Sequence, residues 1–195
     1  MGNIDSVGRA IEECGGQPIL TDQLKDIAAA THLILPGVGS FCDGITNIKE
    51  RHLDEILHEQ VFQHQIPFLG ICLGMQLLAE VGKEGDTTTG LGWIEGEVCR
   101  LEATVEDTRI PHIGWNEVLI TRESPLFSHI PSGQDFYFVH SYHLRCRNVD
   151  NILAYTPYCG QFVSALNRDW IFGTQFHPEK SQKAGFQVLK NFLAL

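Results

Sequence analysis

No apolar run in this sequence approaches the ~20 residues needed to span a bilayer, no charged-then-apolar leader marks a secretory signal, and no CxxC pair occurs. The first two absences exclude a membrane-spanning helix and an export signal, so a cytoplasmic location is expected. The six cysteines (Cys14, Cys42, Cys72, Cys99, Cys146 and Cys159) are scattered along 195 residues. That is neither a disulfide framework nor zinc-site spacing, so most are expected to be small buried hydrophobes. Basic residues are scarce as well: 14 Lys and Arg stand against 24 Asp and Glu, for a net charge of −10 and a pI near 5.3. This balance argues against nucleic acid and anionic membranes as partners. Internal repeats, low-complexity tracts and linkers are absent too. With 43% hydrophobic and 19% charged residues, one globular domain over residues 1–195 is expected.

What is present alternates. Ile4, Val7, Ala10 and Ile11 have helical spacing over residues 4–14, which end at Gly15-Gly16. "QPILT" is a short strand candidate, and "THLILPG" is a buried strand stopped by Pro36-Gly37. "HLDEILHEQVFQHQ" is an amphipathic helix with Leu53, Ile56, Leu57 and Val61 on one stripe, and "IPFLGI" is the next strand. Such alternation predicts an α/β fold with a parallel sheet covered on both faces. From about residue 90 the chain becomes β-rich, with runs such as "WIEGEVCRL", "WNEVLIT" and "DFYFVHSYHLR", before a closing helix in "KAGFQVLKNFLAL".

One cysteine sits where a strand turns into a helix. In "PFLGICLGMQLL" (67–78) the chain is apolar and extended up to Cys72 and takes on helical character after it, with Gly70 and Gly74 on either side. Such a junction holds its residue in a tight conformation at the carboxyl edge of the sheet, where backbones pack too closely for side chains. A helix N-terminus also favours a thiolate, and its free amides can donate to an oxyanion. Taken alone, G-x-C-x-G serves a buried structural cysteine equally well.

A thiolate nucleophile needs a base, and the base needs an orienting group. "FGTQFHPEKSQ" (172–182) supplies His177 and Glu179 at the end of a strand. Residues two apart in an extended segment point the same way, so Glu179 is placed to hold the His177 ring while that ring faces the thiol. His112, His140 and His143 lack the spacing of a zinc site and read as hydrogen-bonded structural histidines. No metal ligand is assigned.

"PFLGICLGMQLL" with "FGTQFHPEKSQ" far downstream resembles the class I, triad-type glutamine amidotransferases. "LPGVGSF" (35–41), "GLGWI" (90–94), "PHIGWN" (111–116) and "FYFVHSYH" (136–143) resemble more closely the glutaminase subunits of imidazole glycerol phosphate synthase. The resemblance implies a three-layer α/β/α, flavodoxin-like domain with a mostly parallel central sheet. It implies Cys72 as a nucleophile that forms a glutamyl thioester, His177 as base and then acid, and Glu179 as its orienting group. The backbone amides of Leu73 and of Val38 or Gly39 would form the oxyanion hole, with Gln76, Ser141 and Tyr142 holding glutamine. Trp115, Asn116, Tyr137 and Lys180 would face a (β/α)8-barrel synthase subunit in a heterodimer, and no cofactor is implied. A buried core tryptophan and a solvated lysine are alternative readings of that last group.

Two other readings compete: a paralogue that feeds ammonia to another acceptor, such as a nucleotide sugar, and a non-catalytic regulatory module on the same fold. The intact Cys72, His177 and Glu179 argue against the second. Chains that resemble this one open with an apolar strand leading into a D-Y-G-M-G-N-like segment, whereas this one starts "MGNIDSV". The first strand is therefore expected to be missing, and the working product to start roughly ten residues upstream.

Overall fold

The alternation in the first half becomes alternating elements in the computed structural model, which describes residues 4–195. Helix α1 (Ile4–Glu13) buries Val7, Ala10 and Ile11, the stripe that its spacing predicts. A short helix α2 (Leu24–Ala28) leads to strand β1 (Leu33–Gly37). Ser40 caps helix α3 (Phe41–Glu50) by accepting the Asp43 amide at 3.1 Å. Helix α4 (Leu53–His58) continues as a π-helical turn through Gln63, which brings Gln60 as well as Val61 into the interior. Strand β2 (Phe68–Cys72), apolar throughout, is buried at every residue. A single helical turn, α5 (Leu73–Gln76), follows at once.

The second half is β-rich, as its texture predicts. Strands β3 (Ala79–Glu84), β4 (Asp86–Thr89), β5 (Ile94–Arg100), β6 (His112–Ile120), β7 (Gln134–His140), β8 (Tyr142–Cys146), β9 (Ile152–Thr156), β10 (Phe162–Arg168) and β11 (Ile171–Thr174) precede helix α6 (Gln182–Leu193). They form a seven-stranded sheet in the order β1-β2-β11-β10-β9-β6-β7 and a four-stranded sheet in the order β4-β3-β5-β8. "FYFVHSYH" breaks at Ser141, so β7 belongs to the large sheet and β8 to the small one.

The central sheet is mixed rather than mostly parallel. Parallel pairing joins β1 to β2 and β2 to β11, while β11-β10, β10-β9, β9-β6 and β6-β7 are antiparallel. Part of the reason is connection length: parallel neighbours need a long crossover, whereas β9, β10 and β11 follow one another through short loops that can only reverse the chain. "QPILT" forms no strand; Ile19 and Leu20 are exposed, and no described strand pairs with this segment to give it a ladder. The expectation about the opening strand falls on residues outside the described ones. No helix among the described residues is long and apolar enough to cross a membrane.

Two apolar clusters cover the two faces of the large sheet. Leu69 and Ile71 of β2 join α1 and α6 through Val7, Ile11, Val188 and Phe192. Phe68, on the other face, joins α3 and α4 and the small sheet through Ile45, Leu57, Val98 and Leu144. The layers are thus helices, mixed sheet, then helices with a second sheet.

The turn from β2 into α5 is packed without room for side chains. A Cβ at Gly74 would sit 1.7 Å from the Leu35 carbonyl oxygen of β1, and one at Gly70 would sit 2.6 Å from the Gly74 carbonyl oxygen. Gly74→Ala should therefore lower the unfolding free energy by ~1–3 kcal/mol or more, because backbone has to move. Gly8, inside α1 with nothing within 4 Å of its Cβ position, should give the opposite result, with Gly8→Ala stabilising by ~0.5–1 kcal/mol. Urea unfolding of the two variants reads both effects.

Candidate active site

Register brings the sequence motifs together. Gly37 of β1 pairs with Cys72 of β2, and Thr174 of β11 pairs with Ile71. The residues that follow β11, from Gln175 to Glu179, therefore emerge beside Cys72, while Val38 and Gly39 emerge on its other side. Cys72 has φ 54° and ψ −107°, a conformation that side chains rarely adopt and that costs about 1–3 kcal/mol. It is the strained elbow that G-I-C-L-G predicts. Among the six cysteines only Cys72 is buried; Cys42 is exposed and the other four are partly covered. The expectation that most cysteines are buried is thus corrected, because those on strand edges and helix surfaces have one face to solvent.

His177 and Glu179 are both buried, with side chains 1% and 0% exposed. The imidazole Nδ1 lies 2.9 Å from Glu179 Oε1, and the ring also hydrogen-bonds to the Cys72 side chain. Burial by itself would lower the imidazole pKa. The hydrogen bonds to Cys72 and Glu179, together with their charges, outweigh burial and raise it from 6.5 to about 9. At neutral pH the ring is an imidazolium held between a carboxylate and a sulfur. The α5 dipole adds little, since that helix is one turn long. The protonated ring supplies the positive charge that the dipole was expected to provide.

The backbone around His177 is pinned from β7. The His177 amide donates to the Tyr137 carbonyl at 2.9 Å. The Ser181 hydroxyl donates to the His177 carbonyl at 2.7 Å and accepts the Tyr137 amide at 3.0 Å. Pro178 begins the 3-10 turn Pro178–Lys180, which carries Glu179 back under the ring.

The residues expected to hold glutamine gather on the same wall. Gln76 Nε2 donates to the Tyr142 carbonyl at 2.8 Å and to Gln175 Oε1 at 3.0 Å. Both amide hydrogens of Gln76 are thereby used, and its own Oε1 remains as an acceptor. The Ser141 carbonyl accepts the Leu101 amide at 2.8 Å, which fixes the corner between β7 and β8. Leu73 opens α5 and is buried, Val38 is 53% exposed, and Gly39 adopts φ +110°. A positive φ there suits glycine.

Behind that wall lies a buried histidine pair whose tautomers the hydrogen bonds determine. His140 Nδ1 lies 2.8 Å from the Tyr142 carbonyl, so it donates and leaves Nε2 as an acceptor. His112 Nδ1, 3.2 Å away, is then the donor to that Nε2, and Asn116 Nδ2 donates to His112 Nε2 at 3.3 Å. Burial lowers His140 to about 3 and His112 to about 4, with the neighbouring histidines adding to the effect on His140. Both rings are neutral. His143 Nε2 lies 3.5 Å from Cys99 Sγ, and no group of residues among those described has the arrangement of a metal site.

Three of the four residues expected at a partner face lie together. The Trp115 and Tyr137 rings are 6.1 Å apart, and Lys180 Nζ sits 5.8 Å from the Tyr137 ring centroid. Trp115 is 47% and Ile113 61% exposed, so this face of the sheet is open and apolar. Asn116, one residue further along β6, points to the opposite face, where it joins His112 and donates to the Pro157 carbonyl at 3.1 Å. Alternation along a strand makes this unavoidable for neighbours. Gln175, whose Nε2 lies 3.5 Å from Cys72 Sγ, is the site residue that sequence reasoning missed. It stands two residues before His177 in the quoted motif, just past the end of β11, where nothing in a glutamine's chemistry singles it out.

The titration order of the histidines follows. The His177 ring resonance should titrate near pH 9, while His112 and His140 stay neutral down to about pH 5. Because the folded-state values of His112 and His140 lie below 6.5, stability should fall as pH drops below that value, by up to ~1.4 kcal/mol per pH unit for each ring. The contribution of His177 has the opposite sign, present below pH 6.5 and lost as pH rises through about 9. NMR titration together with urea unfolding between pH 4 and 10 measures both.

The sequence was compared with known families and structures. A family model described as Glutamine amidotransferase class-I matches residues 13–195. Imidazole glycerol phosphate synthase subunit HisH 1 of Campylobacter jejuni (strain RM1221) is 46% identical, covering 100% of this chain and 96% of the relative. Subunit HisH 2 of Nitrobacter winogradskyi is 45% identical over 98% of this chain and 92% of its own, and subunit HisH of Moorella thermoacetica is 44% identical over 98% and 90%. Among solved structures, a glutamine amidotransferase superposes with a TM-score of 0.78 at 16% identity, covering 99% of this chain and 93% of that one. The glutaminase domain of Trypanosoma brucei CTPS with bound acivicin does so with 0.67 at 16%, covering 99% and 88%.

Proposed function

The chain belongs to the class I glutamine amidotransferases, and we propose that it is the cytoplasmic glutaminase subunit of imidazole glycerol phosphate synthase, passing ammonia to a (β/α)8-barrel partner in histidine biosynthesis. The observation that carries the chemistry is the buried Cys72–His177–Glu179 arrangement, with an imidazolium between sulfur and carboxylate.

The steps follow from those positions. The Cys72 thiolate attacks the side-chain amide carbon of glutamine, and the carbonyl electrons move onto oxygen. Main-chain amides at Leu73 and at Val38 or Gly39 stabilise that oxyanion. The imidazolium of His177 gives its proton to the departing nitrogen, the C–N bond breaks, ammonia leaves, and a glutamyl thioester remains on Cys72. The now neutral His177 takes a proton from water as it attacks the thioester; glutamate and the thiolate–imidazolium pair are released. Glu179 holds Nδ1–H throughout and keeps the ring aimed. Gln76, Ser141 and Tyr142 form the wall against which the substrate lies.

The exposed Trp115–Tyr137–Lys180 face supports the partner assignment, since it is apolar, aromatic and adjacent to the base. The Tyr137 carbonyl holds the His177 amide, and Lys180 follows Glu179 directly. The same triad would equally serve a second reading, in which the glutaminase half feeds another acceptor such as a nucleotide sugar. Combining the chain with the synthase subunit from the same source decides between them. Glutamine-dependent formation of imidazole glycerol phosphate is expected. Glutamine hydrolysis without it, with a different subunit co-purifying, would overturn the pathway and leave the glutaminase chemistry standing.

The triad roles predict a graded series in that complex. Cys72→Ala should reduce glutamine hydrolysis to background, and His177→Ala should cost nearly as much, because the two act as a unit. Glu179→Gln should retain roughly 10²-fold more activity than His177→Ala, since it orients the base and transfers no proton. Steady-state kinetics of the three variants, with circular dichroism as the folding control, supply the comparison.

A further inference from the structure

The triad leaves one group at the nucleophile without a role. Gln175 is completely buried, and its side-chain Nε2 donates to Cys72 Sγ at 3.5 Å. Its place follows from the register of β11 on β2, since Thr174, the last residue of β11, is level with Ile71, and Gln175 and Cys72 come next in the chain. The main chain is held from β10, where the Gln175 amide donates to the Ser164 carbonyl at 2.9 Å.

The orientation of the Gln175 amide is dictated by its surroundings. Its Oε1 accepts from Gln76 Nε2 at 3.0 Å, so Nε2 is the end turned toward sulfur. Gln76 is fixed in turn because its other hydrogen goes to the Tyr142 carbonyl, which also accepts from His140 Nδ1. Beyond His140 the donors continue through His112 to Asn116, whose own amide is oriented by accepting the Glu117 amide at 2.8 Å and donating to the Pro157 carbonyl. Each donor in this buried set has an acceptor, so reversing any one amide would leave two polar groups unsatisfied. An N–H donated to sulfur is weak toward a thiol and stronger toward a thiolate, because the acceptor then carries charge.

We propose that Gln175 is a further catalytic residue: its side-chain N–H holds the Cys72 thiolate in place for attack, and Gln76 is the positioning residue that keeps this N–H on the sulfur. This rests on the reading of Cys72 as the glutaminase nucleophile. No proton moves in this role, since Gln175 keeps both hydrogens through the cycle. Gln76 accordingly acts in two ways, on the substrate through its oxygen and on the nucleophile through its nitrogen.

The test is the rate at which iodoacetamide alkylates Cys72 at pH 7 in the complex with the synthase subunit, resolved from the other cysteines by mass spectrometry of the peptides. Gln175→Met, similar in size but without a donor, should slow alkylation of Cys72 about tenfold, equivalent to ~1.4 kcal/mol, and lower kcat by a similar factor with KM within about twofold. Gln175→Asn keeps the amide but withdraws it by one methylene, and it should behave alike if the methionine variant fails to fold. Gln76→Met should also slow alkylation, although iodoacetamide makes no use of a glutamine site; a merely substrate-binding Gln76 would leave that rate unchanged. Alkylation of Cys72 at the wild-type rate in the folded Gln175 variants would overturn the proposal. Failure of the underlying reading looks different: Cys72→Ala would then hydrolyse glutamine normally, whatever the alkylation rates.

Discussion

The parallel register of β1, β2 and β11 is the constraint on which the rest of this molecule depends. Leu35, Gly70 and Gly173 lie on one row across the three strands, and α5 rests on that row. Gly74 touches the Leu35 carbonyl, Gly70 has no room beneath the Gly74 carbonyl, and a Cβ at Gly173 would meet Met75 at 2.7 Å. With the helical turn seated there, Cys72 projects from the carboxyl edge. Val38, Gly39, Gln175, His177 and Glu179 lie one to five residues beyond the ends of its two neighbouring strands. A slip of one residue in either pairing would turn the thiol or the imidazole to the wrong face of the sheet. The glycines thus define the position of the site, and the side chains beyond them define its chemistry.

The same protein core holds histidines of opposite character, and the cause lies in their partners. His140 donates to a carbonyl and His112 donates to His140, so the cost of burying charge outweighs what favours protonation and both stay neutral. His177 is as deeply buried, but a carboxylate and a sulfur flank it and hold the proton on the ring. The neutral pair gives a wall with fixed donors; the charged ring places a proton and a positive charge beside the sulfur. The two settings are joined through Tyr142, Gln76 and Gln175, which carry the order of the structural pair to the sulfur.

Much of this was legible in the sequence for physical reasons. The elbow could be read because a strand turning sharply into a helix demands glycine beside the junction residue. The base and its partner could be named because they stand two apart in one motif, although Glu179 reaches the ring from a 3-10 turn and not from the extended segment that was expected. The helical stripes of α1 and α4 were equally plain. The sheet direction was not, since antiparallel and parallel strands share the same apolar composition and differ only in how they connect. "QPILT" has strand-like residues but no described neighbour to bond with, which no local pattern can report. Asn116 was grouped with Trp115 by motif although adjacent strand residues must face opposite ways. Gln175 stood in the quoted motif, but glutamine carries no titratable signal, and only its distance to sulfur marks it.

The central claim is that Cys72 carries the glutamyl group during turnover. Rapid acid quenching of the complex while it hydrolyses glutamine, followed by peptide mass spectrometry, tests it most directly. The account predicts a glutamyl thioester on the peptide containing Cys72 and on no other cysteine, present during turnover and gone once glutamine is exhausted. Steady hydrolysis with no adduct at Cys72, or with the adduct on another residue, would contradict it.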